Sequence, residues 1–208
     1  QGSSDTITTG SAGVLSFIGS TSSSTMTLSQ SNSLGGLLVD TGVVSISADT
    51  NLSASAPASA NASWITLKNG GTLLSNASSV TVGANRGITL GVGGGNLAAN
   101  SADTLIYNGI ITDGGSGYAL KINGASQLGT VTLGGVNTYS GTTTVSAGVL
   151  SIGAANNLGS TSGLILSGVT LLSTGSNVTL GTSIPVTLTT GTNSTIAEAA
   201  SGTLTING

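Results

Sequence analysis

Apolar residues along this chain occur in short runs that alternate with hydroxyl residues, and Gly, Asn or Ser closes each run. Alternation with a period of two marks a strand with one buried face. The pattern predicts strands at Val14-Leu15-Ser16-Phe17, Thr25-Met26-Thr27-Leu28, Val43-Val44-Ser45-Ile46, Val80-Thr81-Val82 and Ile88-Thr89-Leu90. It predicts further strands at Val131-Thr132-Leu133, Val149-Leu150-Ser151-Ile152, Val178-Thr179-Leu180, Val186-Thr187-Leu188 and Leu204-Thr205-Ile206. In Val-Thr-Leu the two aliphatics face one side and the threonine the other, so aliphatics go in and hydroxyls out. Glycine at such short intervals disfavours helices. Two short helical candidates remain: the Ala-rich segment Ala54–Ala62, which Pro57 interrupts and which reads equally as a surface loop, and Ser194–Ala200.

Internal similarity organises these strands. Leu73–Leu90 aligns without gaps on Leu171–Leu188 at an offset of 98, with nine of eighteen positions identical. Asn32 with Gly42-Val43-Val44-Ser45-Ile46 matches Asn137 with Gly148-Val149-Leu150-Ser151-Ile152 at an offset of 105 to 106. The chain therefore reads as one solenoid, residues 1–208, made of two copies of a unit of about 104 residues cut out of phase. In repeat phase, residue 208 leads back into residue 1, because Leu204–Gly208 matches Leu105–Gly109 and Leu15…Gly19 matches Leu120…Gly124. Ten or so turns of about 20 residues, stacked about 4.8 Å apart, would form a rod of roughly 45–50 Å.

Composition narrows the reading. Of 208 residues only nine are charged, three basic and six acidic, where an ordinary domain would carry about fifty. Gly, Ser, Thr and Asn together make 116 residues. Such chains are often disordered linkers, but Leu, Ile, Val and Phe total 53 and the net charge is only −3, enough aliphatic material for a long, narrow core. There is no Cys and no His, which excludes disulfides, Cys/His zinc sites and any triad built on those residues. Three basic residues cannot neutralise a phosphate backbone, so nucleic acid is not an expected partner. No apolar run is long enough for a transmembrane helix.

Residues 131–159 read VTLGGVNTYSGTTTVSAGVLSIGAANNLG. They resemble the passenger-associated transport repeat of bacterial autotransporters: Val136–Gly141 supplies the turn, and Thr142–Val145 with Gly148-Val149-Leu150 the strands. Upstream, Asn85-Arg86-Gly87-Ile88-Thr89-Leu90-Gly91-Val92-Gly93-Gly94-Gly95 looks like the stretch that commonly precedes this repeat. The resemblance extends over Asn85–Gly159 and is degenerate over Ser31–Ile46, where Leu34 replaces the tyrosine. It implies a right-handed parallel β-helix on a bacterial cell surface, in adhesins and large surface proteins.

Chemistry is hard to place on this sequence. The acids are Asp5, Asp40, Asp49, Asp103, Asp113 and Glu198, no two within four residues. A polysaccharide-active site needs paired carboxylates, and only Asp40/Asp49 and Asp103/Asp113 could stack on neighbouring turns. Lys68, Arg86 and Lys121 are too dispersed for a basic patch. Thr-x-Thr pairs at Thr25/Thr27, Thr130/Thr132, Thr187/Thr189 and Thr203/Thr205 could order water if they stacked on one face. Tyr107, Tyr118, Tyr139 and Trp64 could stack sugars if exposed, but Tyr139 lies in the turn motif and reads as packing, and Trp64 reads as an anchor for the Ala-rich excursion.

The expectation is an all-β, right-handed parallel β-solenoid that is not an enzyme, takes no cofactor or metal and works as a structural protein outside the cell. Its ends carry almost no charge: Asp5 alone in the first ten residues and none in the last ten. A solitary solenoid needs polar caps there. The expected contact segments are therefore Asp5–Phe17 and Ala199–Gly208, with Asp5, Ile7, Leu15, Phe17, Leu204, Ile206 and Gly208 at the junction. The partner is a second copy joined head to tail in a fibre, or neighbouring turns of a longer adhesin stalk. Surface glycans are a further candidate partner.

Overall fold

The computed structural model describes residues 8–9, 13–191, 193–199 and 201–207. It is an all-β parallel solenoid: every pairing between strands is parallel, and the only helical segments among the described residues are two 3-10 turns, Asp49–Asn51 and Ala155–Leu158. A complete turn visits three sheets in order. Asn61–Lys68, Gly71–Ser75 and Val80–Val82 form one such turn, and Arg86–Leu90, Gly95–Ala99 and Thr104–Tyr107 lie in register on them. The sheets have five, eight and six strands, and Asn177–Leu180 pairs with Thr203–Ile206 in a fourth, two-stranded sheet.

All ten strands expected from the alternation are present. Neither helical candidate is a helix, and the first takes the loop alternative. Ala54–Ala62 is an irregular excursion whose last residues enter the strand Asn61–Lys68, and Ser194–Ala200 contains the strand Thr195–Glu198, paired with Thr170–Ser173. Pro57 blocks the first helix. In the second, a waiting sheet edge outweighs the weak preference of a short Ala-containing run.

The turns are fewer and longer than expected. The longest ladder has eight strands and stacks Thr25, Val43, Thr72, Asn96, Lys121, Thr144, Ile165 and Thr187 in one column, 18 to 29 residues apart. Corner loops and the 53–60 excursion lengthen individual turns. Eight rungs span about 34 Å. The core is the aliphatic column one residue on, where Val44, Leu73, Leu97, Ile122, Val145 and Leu166 are fully buried.

Two asparagine clamps close the corners. Asn157 Oδ1 accepts from the N–H groups of Gly153 and Ala154 (2.9 and 2.8 Å), and its Nδ2 donates to the Gly135 carbonyl (2.9 Å). Asn137 Nδ2 donates to the Asn157 carbonyl, and its Oδ1 accepts from Ile111 N–H. The first copy repeats this: Asn51 Oδ1 accepts from Ser47 and Ala48, and Asn32 Nδ2 donates to the Asn51 carbonyl. These amides satisfy backbone groups, some buried and some partly exposed, that the corners leave without ladder partners. Asn157→Ala should therefore cost about 2 kcal/mol, since it orphans one buried acceptor, the Gly135 carbonyl, and two partly exposed donors. Equilibrium guanidinium unfolding measures this, and an unchanged stability would contradict the assignment.

Candidate functional site at the solenoid ends

The inner columns change character at the last rung. Along the six-stranded sheet Val80, Leu105, Val131, Leu150 and Leu171 are buried, but Ile196, next in the same column, is 44% exposed. Along the eight-stranded sheet Leu166 is fully buried and Leu188 is 52% exposed. The strands Val186–Leu188, Thr195–Glu198 and Thr203–Ile206 each pair along one edge only among the described residues.

Leu204 and Ile206 stand on the last of these strands, half-buried against the core, over Val178 and Leu180. At the other end, Leu15 and Phe17 lie on Val14–Ile18, which among the described residues pairs only with Gly36–Asp40, and both are half-buried over Leu37 and Val39. These four candidate contact residues thus sit on edge strands at opposite ends of the rod. Asp5, Ile7 and Gly208 lie outside the described residues.

The acids are not gathered. Asp40 holds Lys68 at 3.0 Å and accepts from Asn69 Nδ2 at 2.7 Å, and these two partners, Asn69 first, lower its pKa. Asp49 binds Arg86 at 2.8 Å. Asp113 is buried beneath five N–H and O–H donors. Asp103 precedes a strand of the six-stranded sheet, whereas Asp113 follows a strand of the five-stranded one. No group of three or more acids forms a candidate metal site among the described residues.

Trp64, Tyr107 and Tyr139 are buried and offer no sugar-stacking platform, while Tyr118 is half-buried. The Tyr139 hydroxyl bonds Thr143 Oγ1 (2.8 Å), which donates to Thr161 Oγ1 (3.1 Å), which in turn reaches the Gly141 carbonyl (2.8 Å). Burial raises the Tyr139 phenol pKa, so this chain of hydroxyls stays protonated. The Thr-x-Thr pairs do not assemble one face. Thr25/Thr27 and Thr187/Thr189 stand at opposite ends of the eight-stranded ladder, Thr130/Thr132 on the six-stranded sheet and Thr203/Thr205 on the two-stranded one.

Residues 127–152 match the passenger-associated transport repeat family. The matched segment is about one turn: it carries Val131 around to Leu150, its neighbour in the same column, and contains Asn137, Tyr139 and Thr143. The repeat implies a secreted or cell-surface protein. No curated protein and no solved structure matches the chain.

Proposed function

We propose that the chain is a stalk segment of an autotransporter-like passenger, a rigid spacer in which further solenoid turns continue the ladders at its ends. One observation carries the reading: core columns that are fully buried for several rungs become half exposed at Leu188 and Ile196. Each unpaired strand edge also offers a row of N–H and C=O groups to the next turn. The matched transport repeat supports the setting, since it is a module of surface passengers.

A second reading is a fibre of separate chains stacked end to end. The edge strands at opposite ends of the rod, Val14–Ile18 and Thr195–Glu198, support it, since each leaves a row of backbone groups open to another chain among the described residues. Heterologous contacts of this kind give open filaments.

A tandem fusion of two copies tests the shared premise. In a solenoid, stability grows with each nearest-neighbour interface. The fusion should unfold in one transition at a higher midpoint than the single chain. Two transitions at the single-chain midpoint would show that the ends do not stack. Sedimentation of the unfused chain then separates the readings: concentration-dependent growth that Ile196→Lys abolishes supports the fibre, and a persistent monomer leaves the stalk.

A further inference from the structure

A trough of about 550 Å³ lies on the outer face of the eight-stranded sheet. Its floor is the outward column Val43, Thr72, Asn96, Lys121 and Thr144, five successive rungs of the ladder. Four steps of about 4.8 Å make it about 19 Å long. Ser22, Gln127 and Ser146, on segments flanking these strands, complete the polar lining.

Three features define an occupant. First, the lining is mixed: Ser22, Thr72, Asn96, Gln127, Thr144 and Ser146 supply hydroxyls and amides, while Val43, Ala119, Leu120 and the glycines leave more of the surface apolar than polar, as the two faces of a sugar ring require. Asn96 Nδ2 donates to Thr72 Oγ1 (3.2 Å), which fixes both side chains along the floor. Second, the charge is one-sided. Lys68 and Arg86 are each held by an aspartate, but Lys121 makes no ion pair with a described residue, and no acid lines the trough. Third, the floor strands are paired on both edges, so an added peptide strand finds no backbone donors and no deep apolar pockets for anchors.

We infer that this trough binds an extended acidic glycan, with sugar hydroxyls on Thr72, Asn96 and Thr144 and a carboxylate on Lys121. The rung spacing is close to the rise of one sugar in an extended chain, so successive residues would meet successive rungs. The inference is independent of what stacks on the solenoid ends.

The test is titration calorimetry of the whole chain with tetragalacturonate and, in parallel, with neutral maltotetraose. Tetragalacturonate should bind and maltotetraose bind far more weakly. Lys121→Gln should weaken the acidic ligand about tenfold by removing one charge-assisted contact. Thr144→Trp should fill the trough and abolish binding. Circular dichroism and unfolding midpoints of both variants should match the parent, since both positions face outward. Equal affinity for the two saccharides would overturn the inference. So would binding indifferent to both substitutions, absence of heat with either saccharide at millimolar concentration, or an acidic peptide that competes at equal affinity.

Discussion

Replacing Asp113 by Asn should destabilise the protein by about 3 kcal/mol at neutral pH, the scale of one or two hydrogen bonds to a buried charge. The carboxylate is 2% exposed. Oδ1 accepts from Gly115 N–H (2.9 Å), and Oδ2 accepts from the N–H groups of Gly117, Tyr118 and Ser140 and from the Ser140 hydroxyl (2.9 to 3.1 Å). Gly114, Gly115 and Gly117 all have positive φ, which folds this loop's N–H groups around the anion. Ser140 belongs to a later turn, so one side chain ties two turns together. An asparagine amide would turn an NH₂ group toward at least one of these donors.

The pH dependence of Asp113 has a definite sign. Burial pushes its pKa up, but the hydrogen bonds, led by the Ser140 N–H, outweigh it and hold the group below the ordinary carboxylate value. A depressed folded-state pKa contributes stability that is present above the unfolded value, about 3.9, and is lost as pH falls through the folded value. The gap between parent and Asp113→Asn should therefore be widest at neutral pH and narrow below about pH 4. Guanidinium unfolding of both proteins across that range measures it, and a gap that does not change with pH would contradict the assignment.

The strands of this fold were legible because each needs only a local pattern, an aliphatic on one face and a hydroxyl on the other. Val80-Thr81-Val82 reads buried, exposed, buried in the sequence and in the structure. The face each strand occupies was not legible. Val80 lies on the six-stranded sheet, whereas Val178, its match at the offset of 98, lies on the two-stranded one. Corner loops of unequal length shift the phase, and no residue pattern encodes that sum. Strands such as Gly71–Ser75 and Gly95–Ala99 were missed because glycine and alanine blur the alternation, although both are central rungs. Leu15, Phe17, Leu204 and Ile206 stand on edge strands, and the sequence pointed to their segments through repeat phase and the lack of charge at the ends. The trough was missed because its residues come from five turns and converge only through register. Asn51 and Asn157 carried a readable signal, since both copies follow Ser-Ile at the same distance and precede leucine.

Arg86 is the residue whose role sequence reasoning misjudged most, and Asp49 tests it best. Read only as one of three cations too dispersed for a basic patch, Arg86 is fully buried. Its Nε donates to Asp49 (2.8 Å), its Nη2 to the Ser53 carbonyl (2.6 Å), and its guanidinium lies 4.6 Å from the centre of the Trp64 ring. Its own carbonyl accepts from the Tyr107 hydroxyl. One residue, through its side chain and its carbonyl, thus joins the first 3-10 turn, the excursion and three strands. Nη1 is already buried without a hydrogen-bond partner, so little compensation is left. Asp49→Ala should cost about 3 kcal/mol, near the lower end for breaking a buried pair, because Asp49 itself is partly hydrated. Asp49→Asn keeps a neutral acceptor for Nε and should lose about half of that. Asp40→Ala removes the other ion pair, whose lysine is exposed, and should leave the unfolding midpoint nearly unchanged. Because a solenoid's contacts are between neighbouring turns, the damage should also be local. Amide exchange should quicken in Asn61–Lys68 and Arg86–Leu90 before it does in Val149–Ile152. Equal losses for Asp40→Ala and Asp49→Ala, or uniform exchange along the rod, would show that the buried guanidinium does not hold these turns together.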